Sequence, residues 1–314
     1  MLETNELNKF IEINLKRYNS IKPKTSSKCY TVLATLNDYK SNELIALASG
    51  TQARLRVYPD DIEDCHAESL LKRAYKRYLI NRLQYYISIS PNLDIAKKNL
   101  QQECSTGLVL FVSQFPCGLL NRYLGDEPIN ETTNELIKRK PGRGQLIDGK
   151  IAYVERDRCI DKLKRWILQG LQGQRLGRKL GLKCCIEKIL IGDCEQQINF
   201  EYKSALNRMA EYLDLPSEHL ALIKGVRCRE LVYNQDLSPQ PESFVWWQQT
   251  TSDKNTNGQT TETIIDGRRK GLTKQHAAGD NVSHKLQIGD FRLRQDLDST
   301  ILEAARGVDT TTLQ

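Results

Sequence analysis

Asp64-Cys65-His66-Ala67-Glu68-Ser69-Leu70-Leu71 opens the strongest helical pattern in the chain. After His66, the residues Leu70, Leu71, Ala74, Tyr75, Tyr78, Leu79 and Leu83 recur at spacings of three and four, so one face stays apolar to about Ile87. A helix with such a stripe has to bury it against a second layer. Gly107-Leu108-Val109-Leu110-Phe111-Val112 supplies one, because an almost wholly apolar run suits a central strand covered on both faces. Upstream, Thr31-Val32-Leu33-Ala34-Thr35-Leu36 and Leu44-Ile45-Ala46-Leu47-Ala48 read as strands, with turn residues from Asn37 to Asn42 between them. They form a hairpin that ends at Ser49-Gly50-Thr51.

Farther out, the pattern predicts a helix from about Cys159 to Gln169, a strand over Lys183–Ile191 and a helix over Phe200–Leu213. Residues 1–27 read as a short amphipathic helix followed by a basic, proline-containing loop, Ile21-Lys22-Pro23-Lys24. The stretch from Gly125 to Gly149 is polar and rich in turn residues, long for a structureless connection, and such loops often carry function. Gln248–Gln259 is Thr, Asn and Gln rich, and reads as an exposed, mobile loop. No internal repeat is visible. Strands and helices alternate, which points to an α/β or α+β domain around one sheet, with residues 1–314 as a single unit.

Composition narrows the function. The 314 residues carry 46 Lys and Arg against 39 Asp and Glu, a net charge of +7 that hints at an anionic partner. No apolar run approaches the roughly 20 residues of a membrane span. Met1-Leu2-Glu3-Thr4-Asn5-Glu6-Leu7 lacks the basic and apolar regions of a secretory signal. Nine cysteines, an odd number, then argue for reduced thiols in an intracellular compartment, cytoplasm or nucleus, and for metal ligation or catalysis where any of them matter.

Three segments could carry chemistry. His66 and Glu68 stand two residues apart at a helix start, where one could bind a metal and the other move protons. Alone, the pair is an exposed polar helix start with Glu68 favouring the dipole. Cys117, in Phe115-Pro116-Cys117-Gly118, follows the central strand, and Cys159, in Arg158-Cys159-Ile160-Asp161-Lys162, opens a helix. Each alone is an ordinary buried cysteine at an element end. Together they form the set used by zinc deaminases, in which an H-x-E segment supplies one ligand and the proton shuttle and P-C opens the second segment. Leu120 stands three after Cys117, so no C-x-x-C exists and the third ligand comes from elsewhere; Cys159 is the best candidate.

That departure carries a resemblance. Arg158-Cys159-Ile160-Asp161-Lys162-Leu163-Lys164-Arg165-Trp166, followed by Gly170-Leu171-Gln172-Gly173, is similar to the segment that carries the third ligand in the adenosine deaminases acting on RNA. Thr31-Val32-Leu33-Ala34, Ala48-Ser49-Gly50-Thr51, His66-Ala67-Glu68, Lys140-Pro141-Gly142-Arg143-Gly144 and Gly267-Arg268-Arg269-Lys270-Gly271-Leu272-Thr273-Lys274 match in the same order. The Lys140–Gly144 segment looks like the tRNA-specific branch. Leu119, Arg158, Ile160 and Gln174 depart from the family pattern, and nothing after His284 shows its closing helix; Asp296–Gly307 is short and weakly amphipathic.

The resemblance implies a cytidine-deaminase-like three-layer α/β/α core around one mixed sheet. It implies zinc on His66, Cys117 and Cys159, and Glu68 as the proton carrier in hydrolytic deamination of adenosine to inosine in tRNA, 3′ of the anticodon in tRNA-Ala. Val32 would pack on the target base, Thr51 would contact its ribose and Arg143 would probe the flanking nucleotide; core packing and a nonspecific phosphate contact are the plain alternatives for Val32 and Arg143. It further implies inositol hexakisphosphate held by Lys72, Arg73, Lys140, Lys162, Arg165, Trp166 and Lys274. The expected partner is tRNA, with no membrane or DNA, and the expected state a monomer. A deaminase-fold RNA-binding protein without catalysis, and an editor of double-stranded messenger RNA, are the competing readings.

Overall fold

Leu108–Val112 is buried at all five positions and lies inside an eight-stranded mixed sheet. The computed structural model describes residues 4–22, 28–53, 62–118, 139–147, 150–193, 202–224, 226, 228–231, 237–249, 261–265, 267–270 and 286–308. From edge to edge the sheet runs Leu220–Ile223, Ile186–Gly192, Leu108–Val112, Leu33–Asp38, Leu44–Ser49, Glu242–Trp247, Thr261–Ile265 and Arg268–Arg269. Leu108–Val112 pairs in parallel with Ile186–Gly192 and antiparallel with Leu33–Asp38, and every pairing beyond Leu33–Asp38 is antiparallel.

The pleat sends alternate side chains into two cores. Val109 and Phe111 point to one face, where helix α1 (Thr4–Ile21) lies over them through Phe10, Ile11 and Tyr18. Asn14 of α1 fixes the register of that docking. Its amide donates to Thr35 Oγ1 at 2.8 Å and Asn37 Oδ1 at 3.1 Å, and Asn37 donates back at 3.1 Å, so the buried polar atoms satisfy one another. Leu108, Leu110 and Val112 point to the opposite face. That face carries α2 (Ala67–Ile89), α3 (Leu93–Glu103), α4 (Cys159–Gln169), α5 (Gln174–Leu180), α6 (Tyr202–Leu213) and α7 (Asp290–Val308). The layers are therefore α/β/α, as expected, with the helices concentrated on one side.

The expected central strand, hairpin and helices are all present, and three other expectations are corrected. The first strand runs over Leu33–Asp38 rather than Thr31–Leu36: Thr31 N–H bonds to Glu230 O instead, while Asn37 and Asp38 stay in the ladder opposite Val109 and Leu108. Within Gly125–Gly149, residues 139–147 are not loop. They form a strand paired with Lys150–Asp157, its ladder interrupted between Pro141 and Gly144, where proline lacks an N–H to donate. The C-terminal helix is longer than Asp296–Gly307, spanning Asp290–Val308. Of the expected loop Gln248–Gln259, only Gln248 and Gln249 lie within the described residues.

Helix α7 docks by charge as much as by apolar contact. Arg77, on α2, donates to Gln287 O at 2.6 Å and to Asp296 at 2.5 Å. Arg73 reaches Asp290 at 2.6 Å, and Arg175 of α5 reaches Asp298 at 2.7 Å. Ahead of the helix, Glu262 accepts from the backbone N–H of Gln287 at 2.5 Å and of Ile288 at 3.4 Å.

Candidate active site

The chain crosses from the sheet hairpin into α2 through two short strands, Thr51–Ala53 and Asp64–His66, which place Thr51 opposite His66. Gly50 makes the crossing possible. It donates to Val32 O at 3.0 Å and accepts from Ala67 N–H at 2.9 Å. A Cβ there would lie 2.1 Å from the Cys65 carbonyl oxygen and 2.4 Å from Ser243 Oγ, so only glycine fits so close to another backbone.

His66 is the residue before α2, and Glu68 lies in the helix's first turn, 6% exposed. Asp64 orients the imidazole: its carboxylate stands 2.6 Å from His66 Nδ1 and accepts the His66 backbone N–H at 3.1 Å. A proton on Nδ1 shared with Asp64 leaves the Nε2 lone pair for another partner, the arrangement that carboxylate–histidine metal sites use. The other carboxylate oxygen of Asp64 takes Lys162 Nζ, which also donates to Ser69 Oγ at 3.1 Å. Asp64 thereby ties α4 to the start of α2.

Cys117 follows the end of the Leu108–Val112 strand, and Cys159 is the first residue of α4. The two meet directly: Cys159 N–H donates to Cys117 Sγ, and Ile160 N–H to Cys117 O, both at 3.3 Å. A helix N-terminus aimed at sulfur suits a thiolate. Asp161 caps that end by accepting Arg158 N–H at 3.3 Å, and is itself held by Tyr212 of α6. Arg158 lies over Gly118, whose φ of +95° and close contact with the Arg158 stem again call for glycine. Among the described residues, no three His, Cys, Asp or Glu side chains close to metal-holding distance as a group. The two thiols and the imidazole are thus linked pairwise, through the Cys117–Cys159 contact and the Asp64–Lys162 bridge.

Thr51 lies beside His66 in the two-stranded ladder, and its Oγ1 is buried with no hydrogen-bond partner among the described residues. Val32 is half-buried and packs against the α2-side core. Arg143 and Lys140 belong to the hairpin strand at residues 139–147, and Lys274 lies outside the described residues.

The expected basic cluster divides. Lys72 points from α2 over the Trp166 ring, 4.8 Å from its centroid, with the α4–α5 turn at Gly173 alongside. Burial, followed by Lys76, Arg165, Arg73 and Lys162, pulls its pKa down to about 7. No carboxylate pairs with it among the described residues. Lys162 instead serves Asp64, Arg73 serves Asp290, and Arg165 pairs with Asp157 at 2.5 Å with 47% of its side chain exposed. Lys76 joins the cluster unforeseen. It lies four residues after Lys72, one turn along the same face, and that spacing is the signal that could have found it.

Residues 46–146 match the adenosine-deaminase (editase) domain family, a span that includes His66, Glu68 and Cys117. The chain is also 23% identical to tRNA-specific adenosine deaminase 1 of Drosophila melanogaster, in an alignment covering 84% of this chain and 75% of that protein. The segments around His66, Cys117 and Cys159 agree with these two matches, and over residues 46–146 the chain is similar to the adenosine-deaminase (editase) domain family.

Proposed function

We propose that this protein deaminates adenosine to inosine in tRNA, at the position 3′ of the anticodon in tRNA-Ala. The observation that carries the reading is a pair of local contacts among the donors: His66 oriented by Asp64, and Cys117 Sγ accepting the Cys159 N–H at a helix start. The chemistry of these donors fits zinc, with Nε2 and two thiolates as ligands and a fourth position left for water. When bound there, zinc would polarise water so that it loses a proton near neutral pH.

Glu68, buried beside His66, would take that proton and return it to the adenine ring and then to the departing amine, so that adenosine and water yield inosine and ammonia. Unpaired anticodon-loop bases cost less to extrude into such a site than paired ones. The unpartnered Thr51 hydroxyl beside His66 suits a ribose contact, Val32 would pack on the base, and Arg143 would meet the flanking nucleotide. The charge balance around Lys72 fits an anion: a buried ammonium facing four cations over an aromatic floor is stabilised by a polyphosphate. Inositol hexakisphosphate, held by Lys72, Arg73, Lys162, Arg165 and Trp166 with Lys140 and Lys274, is the proposed occupant. The protein would act as an intracellular monomer.

The test is inosine formation in a tRNA-Ala transcript, read by mass spectrometry of the digested RNA, together with the zinc content of the purified protein. Glu68→Gln should lower the rate at least a hundredfold while zinc and tRNA binding persist. Unchanged activity in that variant overturns the mechanism. Tight tRNA binding with neither inosine nor zinc in the wild type would favour a noncatalytic RNA-binding role.

A further inference from the structure

Helix α7 places a carboxylate inside the basic cluster. Asp290 begins that helix, accepts from Arg73 Nη1 at 2.6 Å, and faces Lys76 and Arg294. It lines a cavity of about 210 Å³ with Lys76, Gln172, Gly173 and Arg294, between α7 and the start of α5. Gly173 is also the residue beside which the Lys72 ammonium lies, 3.8 Å from the position a Cβ would take there. The cluster therefore has two unlike halves. On the Arg73–Lys76 side a protein carboxylate already balances the cations. On the Lys72–Trp166 side, Asp64 and Asp157 pair with Lys162 and Arg165, but no carboxylate among the described residues pairs with Lys72 itself.

We infer that Asp290 is an internal anion occupying one side of the polyanion site, so that a bound polyphosphate is held chiefly from the Lys72 side and is repelled by this carboxylate on the other. The inference rests on the polyanion reading above and adds a determinant of its affinity. A carboxylate within a few ångströms of a bound phosphate opposes it, and its partial exposure, 39% of the side chain, tempers that effect to less than a buried pair would show. Two physical consequences support the assignment. Burial acts on the Asp290 carboxyl first, yet Arg73 and Lys76 outweigh it and hold its pKa below the usual carboxylate range. Asp290 likewise offsets part of the repulsion that Lys76 feels from Arg73 and Arg294, whereas the neighbours that bear most on Lys72 are all cations.

Equilibrium dialysis with labelled inositol hexakisphosphate, at fixed salt, tests this on the full chain. Asp290→Asn keeps an acceptor for Arg73 but removes the charge, and should tighten binding roughly threefold to tenfold. Glu303→Gln is the control. It removes the same charge from an exposed position of α7, about 20 Å along the helix from Asp290, and should leave the constant unchanged. Thermal unfolding of both variants reports whether α7 stays docked. Binding by the wild type with no tightening, or weakening, in a folded Asp290→Asn protein overturns the inference alone. Equal tightening in both variants also overturns it, since net charge would then explain the gain. No binding by the wild type or by Asp290→Asn overturns the polyanion reading and the inference together.

Discussion

Glu262 should make the docking of the C-terminal segment depend on pH. Its side chain is fully buried in the Thr261–Ile265 strand and accepts the backbone N–H groups of Gln287 and Ile288 just ahead of α7. Burial raises its pKa from the ordinary 4.5 to about 7; the two N–H groups and the guanidiniums of Arg269 and Arg77 act the other way and are outweighed. The folded protein thus holds this proton more tightly than the unfolded chain does. The resulting stabilisation is complete below pH 4.5 and is lost as pH rises through about 7. At about 1.4 kcal/mol per pH unit, that gap amounts to roughly 3 kcal/mol in full, and to about 2 to 3 kcal/mol between pH 5 and pH 8. Glu262→Gln keeps a carbonyl acceptor for Gln287 and is uncharged at every pH. Relative to the wild type, it should therefore gain about 2 to 3 kcal/mol in unfolding free energy on going from pH 5 to pH 8. Urea unfolding followed by tryptophan fluorescence is the assay, since Trp166, Trp246 and Trp247 are all buried. Groups that titrate equally in both proteins cancel in the difference. A difference that stays constant across that range refutes the assignment of this carboxyl as a buried, proton-holding latch.

Two further outcomes follow from the site. Asp64→Asn keeps an oxygen near His66 Nδ1 but removes the charge shared with Lys162, and should cost about 10- to 100-fold in zinc retention or in turnover while tRNA binding holds; unchanged zinc content and rate would remove Asp64 as a positioning residue. Gly50→Ala forces a methyl group against the Cys65 carbonyl and should destabilise the fold by about 1 to 3 kcal/mol or more, whereas Gly181→Ala, which meets only the amide end of the Gln101 side chain, should cost less apart from its backbone strain; equal unfolding midpoints for the two variants would contradict the crowding argument.

Local chemistry in the sequence was enough to locate α2, the central strand and α4, because each has one dominant period or cap within a dozen residues. Helix α3 is equally legible. Asn92 caps it through bonds to Asp94 N–H at 2.9 Å and Ile95 N–H at 3.1 Å, and Leu93, Ala96 and Leu100 carry its apolar face. The hairpin strand at 139–147 was not legible, since Pro141, Gly142 and Gly144 are loop residues by any local measure and its pairing depends on Lys150–Asp157. Nor was the course of α7. Its apolar pattern is weak, and its position is set by Arg73, Arg77, Arg175 and Lys179, which lie more than 100 residues earlier in the chain.

The candidate site shows the same division between what a motif contains and what folding adds. The motif residues His66, Glu68, Cys117 and Cys159 are fixed in sequence, but their mutual placement runs through α4. Its first residue meets Cys117, Lys162 three residues on reaches the carboxylate that orients His66, and Trp166 one further turn along forms the floor under Lys72. With about 1.5 Å of rise per residue, these contacts fall within about 11 Å along one helix. A displacement of α4 would therefore be felt at the thiol pair, the histidine and the basic cluster together. An anion balancing Lys72, as proposed, would therefore bear on the donor residues without touching them: without it, like charges surround the helix that carries Cys159. Asp290 of α7 limits that repulsion on the Arg73 side, which leaves Lys72 as the cation of the cluster that the proposed polyphosphate would chiefly balance.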